Sequence, residues 1–189
     1  MRLFVAINLT PQVRDAIHAD TATLRSAGPG IRWVAPDALH VTIKFLGEQD
    51  PVSLDGIRQA LESAASRHAA VHAKTTRVGA FPNFRRPRVV WVGMTEERAL
   101  QALARDIDGA LTPLGIAGEA RPFRAHITLG RVKGELGAAE ATALERAAGA
   151  VHASRDFPVR TVDLMRSELG PGGSRYTVIS AVPLQARGT

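Results

Sequence analysis

One four-residue pattern occurs twice in this chain, and it constrains the fold more than any other feature. His40-Val41-Thr42-Ile43 stands in the first half and His126-Ile127-Thr128-Leu129 in the second, 86 residues apart. Each is a histidine, an aliphatic residue, a threonine and a second aliphatic residue. Each lies in a strand-like run with a glycine soon after it (Gly47, Gly130). Successive side chains of a strand point to opposite faces, so each histidine shares a face with its own threonine. By strict alternation Val41, Ile43 and Phe45 point the other way, as do Ile127 and Leu129, and pack into a core. Two equivalent strands are expected, each offering one imidazole and one hydroxyl on an open face.

Two such pairs suit in-line displacement at a phosphodiester. The attacking and leaving oxygens lie on opposite sides of phosphorus, so a base is needed near one and an acid near the other. Histidine serves as either near neutral pH. The threonine hydroxyls are placed to donate to the non-bridging oxygens, where charge accumulates. Chance recurrence of a short motif is the competing explanation.

The rest of the chain is consistent with a globular enzyme. Its 189 residues fit one domain, or one body with two lobes, and can bury a sizeable core. There are no cysteines, which removes thiol catalysis, cysteine-ligated zinc and disulfides. The first residues lack a signal-peptide pattern, and no run approaches the roughly 18 apolar residues of a membrane helix. A soluble cytoplasmic protein is expected. The net charge is +6, and a basic surface attracts polyanions, nucleic acid first. Only three basic residues are lysines (Lys44, Lys74, Lys133). An arginine bias beside abundant Ala and Gly is equally the mark of a GC-rich genome.

Strand-like runs cover residues 2–8, 31–34, 39–46, 71–81, 88–94, 125–132, 159–169 and 175–183. Helical periodicity covers 11–27, 51–68, 96–114 and 137–148, with Thr10 as N-cap and Pro11 opening the first helix. Short connections between strands favour antiparallel pairing and an α+β class.

The chain resembles the RNA 2′,3′-cyclic phosphodiesterases, also called 2′-5′ RNA ligases, of the two-histidine phosphoesterase superfamily. The matching stretches are residues 2–7, Arg32-Trp33-Val34, residues 39–47, Gly79-Ala80-Phe81-Pro82, residues 87–93, residues 126–131 and residues 167–176. Ala125 departs from the pattern, since the family usually carries proline there. The resemblance implies a bilobal pseudo-twofold α+β fold over residues 1–189. Each lobe would carry an antiparallel sheet with outer helices, and the cleft between lobes would hold both tetrads. It implies hydrolysis of a 2′,3′-cyclic phosphate to a 2′-phosphate, with 2′-5′ ligation as the reverse reaction. His40 would be the proton donor, His126 the proton acceptor, and Thr42 and Thr128 the phosphate ligands. The expected partners are RNA with 2′,3′-cyclic phosphate ends or small cyclic nucleotides. No cofactor, metal or membrane is expected, and the chain is expected to be monomeric.

Further residues are read against plainer roles. Phe4 shares a strand face with Arg2, Ala6 and Asn8 and would stack on a nucleobase, or else pack in the core. Arg131 would bind phosphate or RNA only if Gly130 bends or bulges its strand, since alternation turns it away from His126. A surface ion pair is its alternative. Arg85, Arg86 and Arg88 would guide the RNA backbone, or belong to a solvated loop. Tyr176, the only tyrosine, would reach the cleft or be buried with a hydrogen bond. Residues 170–173 read as a turn, not a P-loop. His68 and His72 form a possible metal pair without an evident third ligand, and no Gly-x-Ser-x-Gly elbow exists. A non-catalytic RNA-binding module and a metal hydrolase using His68 and His72 stay open as alternatives.

Overall fold

Local signals set most element boundaries in the computed structural model, which describes residues 1–170 and 173–186. The chain opens with β1 (Arg2–Asn8) and α1 (Pro11–Asp20). Thr10 caps α1, its Oγ1 accepting from Val13 N at 3.4 Å, and Pro11 takes the first helical position. The expected helix over 11–27 is two helices, because α2 (Ala22–Ala27) starts anew after Thr21. The buried Thr21 hydroxyl donates back to Ile17 O at 2.7 Å, which bends the helix at that residue.

There follow β2 (Ile31–Trp33), a 3₁₀ turn (Pro36–Ala38), β3 (His40–Glu48) and α3 (Leu54–Ala65). Next come β4 (Val71–Phe81), β5 (Val89–Met94), α4 (Glu97–Leu111), β6 (His126–Val132) and α5 (Ala138–Gly149). The chain ends with β7 (Asp156–Val159), β8 (Thr161–Gly170) and β9 (Gly173–Pro183). The sequence reading misses β7. It is four residues long and contains Pro158, which a strand tolerates at a sheet edge. Residues 170 and 173 pair in the β8–β9 hairpin, while Pro171 and Gly172 lie outside the described residues.

The strands form one curled sheet in the order β7-β4-β5-β6-β3-β1-β8-β9, with β2 added on β6. All these pairings are antiparallel. The α+β expectation holds, with one refinement: the two half-sheets are joined. Their junction is the β3–β6 contact, at the single residue pair Val41 and Ile127. The two tetrad strands are therefore the innermost pair of the molecule. Helices α3 and α4 pack together over β3, β8 and β9, while α2 meets α5 and α5 lies on β4. The helical spacing of Leu100, Leu103, Ile107 and Leu111 buries one face of α4.

Strict alternation fails at one place in each tetrad. Val5 pairs with Lys44 and Ala6 with Thr42, so Ile43 is an extra residue in β3. Val90 pairs with Gly130 and Trp91 with Thr128, so Leu129 is an extra residue in β6. Each bulge falls on the last aliphatic residue of its tetrad and reverses the faces of the residues that follow, in β3 as far as a second extra residue at Leu46. Phe45, expected in the core, is 57% exposed, and Lys44 is 2% exposed in its place. Gly130 is required beside the second bulge. A Cβ there would lie 2.6 Å from Ile31 Cγ2 and 2.9 Å from Trp33 Cε3.

The buried Lys44 has specific partners. Its Nζ donates to Asp108 Oδ1 at 2.5 Å and to Ala117 O at 2.7 Å. The same Asp108 oxygen accepts from Glu119 N at 3.1 Å. This cluster ties β3, α4 and the segment leading to β6 into one unit.

Candidate active site

Both histidines begin their strands and are oriented in the same way. His40 Nδ1 lies 2.8 Å from Ala38 O, and His126 Nδ1 lies 2.7 Å from Arg124 O. A carbonyl only accepts, so each Nδ1 carries a proton and Nε2 is the nitrogen left for other work. His40 Nε2 lies 3.0 Å from Thr42 Oγ1, whose hydroxyl donates to the neutral ring.

Aromatic neighbours fix the ring planes. His40 meets Phe4 at 5.2 Å and Tyr176 edge-on at 5.2 Å. His126 meets Phe81 edge-on at 5.1 Å and Trp91 at 6.4 Å. Trp91 lies against Gly79, where a Cβ would come within 2.3 Å of the indole. That glycine is what lets the indole approach the sheet.

The cleft consists of two adjoining cavities. One, of about 580 Å³, is bordered by His126, Phe123 and Arg121. The other, of about 380 Å³, is bordered by His40, Tyr176 and Arg2. Thr42, Thr128, Phe45 and Arg131 border both. The structure thus brings both histidines, both threonines, Arg131 and Tyr176 to one cleft. Arg131 reaches it because of the Leu129 bulge, the condition under which the sequence allowed it a substrate role. Among the described residues no carboxylate pairs with it.

Phe4 requires a correction. It faces this side of the sheet, as alternation requires, but it is 2% exposed. Ala6, Met165 and Tyr176 pack around it, and His40 covers it. No open ring face is left for a nucleobase, so Phe4 supports His40 instead. The exposed ring is that of Phe45. A symmetry argument finds it: Phe45 follows Thr42 by the same three positions as Arg131 follows Thr128.

Other expected residues lie elsewhere. Arg85, Arg86 and Arg88 border neither cavity, and Asn83 Oδ1 holds the amides of Arg85 and Arg86 in a turn. His68 Nε2 is bonded to Asp106 at 2.9 Å, while His72 is exposed on β4 opposite Pro158. Among the described residues no group of three or more His, Asp or Glu side chains is placed to hold a metal ion. No described helix is long and apolar enough to cross a membrane.

Both imidazoles are held below the ordinary histidine value of 6.5. For His40 burial is the main cause, opposed by the bond to Ala38, and the charges of Arg14, Arg131 and His126 lower it further. For His126 burial again leads, opposed by the bond to Arg124, with Arg131 adding to the lowering. The unfolded chain therefore binds these protons more tightly, and stability rises with pH where that holds. The contribution is complete above the unfolded value of 6.5 and is lost as pH falls through the two folded values. The melting temperature is expected to fall as pH drops below about 6.5. Calorimetry on a His40→Asn/His126→Asn double variant should show a shallower pH slope; equal slopes would contradict the assignment.

Comparison with known proteins supplies the kinship. The LigT-like phosphoesterase family model matches the chain twice, over residues 7–91 and 92–176, with one tetrad at nearly the same depth in each match. An RNA 2′,3′-cyclic phosphodiesterase of Archaeoglobus fulgidus is 38% identical over 133 residues, 70% of this chain and 73% of that one. Another, of Methanothermobacter thermautotrophicus, is 32% identical over 177 residues, 94% of this chain and 95% of that one. The crystal structure of TT0787 of Thermus thermophilus has a TM-score of 0.81 at 30% identity and covers 100% of both chains. The twofold pattern first seen in the sequence is thus shared along the whole molecule, and this chain belongs to the LigT-like phosphoesterase family.

Proposed function

We propose that this chain hydrolyses the 2′,3′-cyclic phosphate ends of RNA, and small nucleotides of the same kind, to 2′-phosphomonoesters. One observation carries the reading. Two imidazoles, each locked through Nδ1 to a backbone carbonyl, border adjoining cavities that share two threonines and an arginine.

The reaction needs one proton taken and one given. His126 Nε2 removes a proton from water as its oxygen attacks phosphorus. His40 Nε2 delivers a proton to the departing 3′ oxygen on the opposite side. The P–O3′ bond breaks, and the phosphate stays on the 2′ oxygen. Thr42 and Thr128 donate to the non-bridging oxygens, and Arg131 balances their charge. The bound anion also favours the protonated form of His40, against the burial that disfavours it. Phe45 offers an exposed ring on which a base can stack, a contact worth about 1–3 kcal/mol. Both proton transfers and the charge balance are met by side chains, so no step is routed through a metal ion. With a 5′-hydroxyl in place of water, the same steps join it to the cyclic phosphate through a 2′-5′ bond: His126 takes the proton of the hydroxyl, the P–O3′ bond breaks, and His40 protonates the 3′ oxygen.

The test is product analysis on an oligonucleotide ending in a 2′,3′-cyclic phosphate, with and without a chelator. A 2′-monoester formed at the same rate in both is the expected result. A 3′-monoester, no turnover, or a rate abolished by chelation and restored by a divalent metal would overturn the reading.

A further inference from the structure

A chain of hydrogen bonds runs to His40 from the neighbouring strands. Asp163 of β8 is 5% exposed, and its Oδ2 accepts from Asn8 Nδ2 at 2.6 Å. The other end of that amide, Asn8 Oδ1, accepts from Arg14 Nη2 at 3.0 Å. The amide orientation follows from chemistry: nitrogen must face the carboxylate and oxygen the guanidinium. Arg14 Nη1 in turn donates to Asp37 O at 2.8 Å, within the 3₁₀ turn Pro36–Ala38. The next carbonyl in that turn, Ala38 O, is the one that holds His40 Nδ1.

A single planar guanidinium therefore ties β1 to the turn that aims the imidazole. Its fork reaches two acceptors in fixed directions, which a point cation on a flexible stem does not do. Arg14 Nε and Asp163 Oδ1 are buried without a partner among the described residues. Unpaired buried polar atoms destabilise a fold, so packing alone does not account for these groups here. At His126 the corresponding brace is a neutral amide and not a guanidinium. The carbonyl that holds this ring lies next in the chain to Phe123 O, which accepts from Gln101 Nε2 at 3.2 Å.

We propose that Arg14 is a positioning residue for His40: held by Asn8 and Asp163, it fixes the turn whose carbonyl sets the ring's tautomer and direction. The proposal rests on the reading of His40 as the proton donor. The charged and titratable groups around His40 are Arg2 of β1, Arg14 of α1, Asp37 of the turn, Arg131 and His126 of β6, Asp163 of β8 and Tyr176 of β9. Arg14 is among the charges that lower the pKa of His40 and is not among those acting on His126. Removing it should raise one titration and leave the other in place.

The experiment compares wild type with Arg14→Gln, Arg14→Lys and Asp163→Asn. It measures kcat and KM against pH on a cyclic-phosphate oligonucleotide, and the imidazole nitrogen NMR titrations of both histidines. Arg14→Gln is expected to lower kcat about 100-fold with little change in KM, as misplacement of a catalytic group does. Its alkaline limb, set by His40 losing its proton, should move to higher pH, while the acid limb set by His126 stays. Arg14→Lys should restore the alkaline limb but not kcat, because it returns the charge without the fork. Asp163→Asn, with Arg14 intact, should lower kcat in part and populate both tautomers of His40. A folded Arg14→Gln protein with wild-type kcat, alkaline limb and His40 tautomer would overturn the proposal, as would equal movement of both limbs. Failure of wild type to turn over any cyclic phosphate would count against the proposed function instead. The NMR titrations would then still decide the role of Arg14.

Discussion

Replacing His40 or His126 with alanine is expected to lower kcat by about 10² to 10⁴-fold each, because each substitution removes one of the two proton transfers. The two effects should not multiply. Once the acid or the base is missing, the in-line step no longer runs in concert, and the double variant should be little worse than the poorer single one. The fold is expected to survive, since both rings are only partly buried and lie at the edge of the cleft. Initial rates on a cyclic-phosphate oligonucleotide, with circular-dichroism melts on the same samples, make the check. Near-normal turnover in either folded variant would remove the two-histidine mechanism altogether.

Stability should respond most strongly to the buried ammonium of Lys44. Its side chain is 1% exposed and that of Asp108 is 27% exposed. Asp108→Ala leaves a buried cation with Ala117 O as its remaining partner, and breaking such a pair costs about 3–5 kcal/mol. Lys44→Met should cost much less. Methionine fills a similar volume, and the abandoned Asp108 still accepts from Glu119 N and reaches solvent. Denaturant midpoints for the two variants test this asymmetry. Equal losses would mean that the pair acts as a simple contact and not as a charge that must be neutralised. Because the same cluster holds the segment before β6, Asp108→Ala should also lower activity in protein that remains folded.

Much of the architecture can be read from the chain alone. The spacing of Leu100, Leu103, Ile107 and Leu111 predicts α4, and Thr10 with Pro11 marks the start of α1, because those signals act within a few residues. The break at Thr21 cannot be read in this way. Threonine in a helix either faces solvent or bonds back to the preceding turn, and burial selects between them. The strand β7 escapes for a related reason: Phe157 and Val159 are buried only because β4 lies beside them.

The candidate site divides along the same line. That His40 and Thr42 share a face, and His126 and Thr128 another, follows from the two-residue period of a strand. Phe4 is misread because alternation gives the side of a sheet but not what covers it, and here Tyr176 and His40 do. Phe45 is misread, and the place of Arg131 stays conditional, because a bulge is a mismatch in count between two strands. It exists in the pairing of β3 with β1 and of β6 with β5, and neither strand carries it alone. The linear order of residues was therefore enough to name the two imidazoles, their hydroxyl companions and the α+β class, since each depends on neighbours in the chain. Which side chains join them in the cleft was decided only when distant strands came into register, because one unpaired residue turns the side chains that follow it, Phe45 and Arg131 among them, to the opposite face.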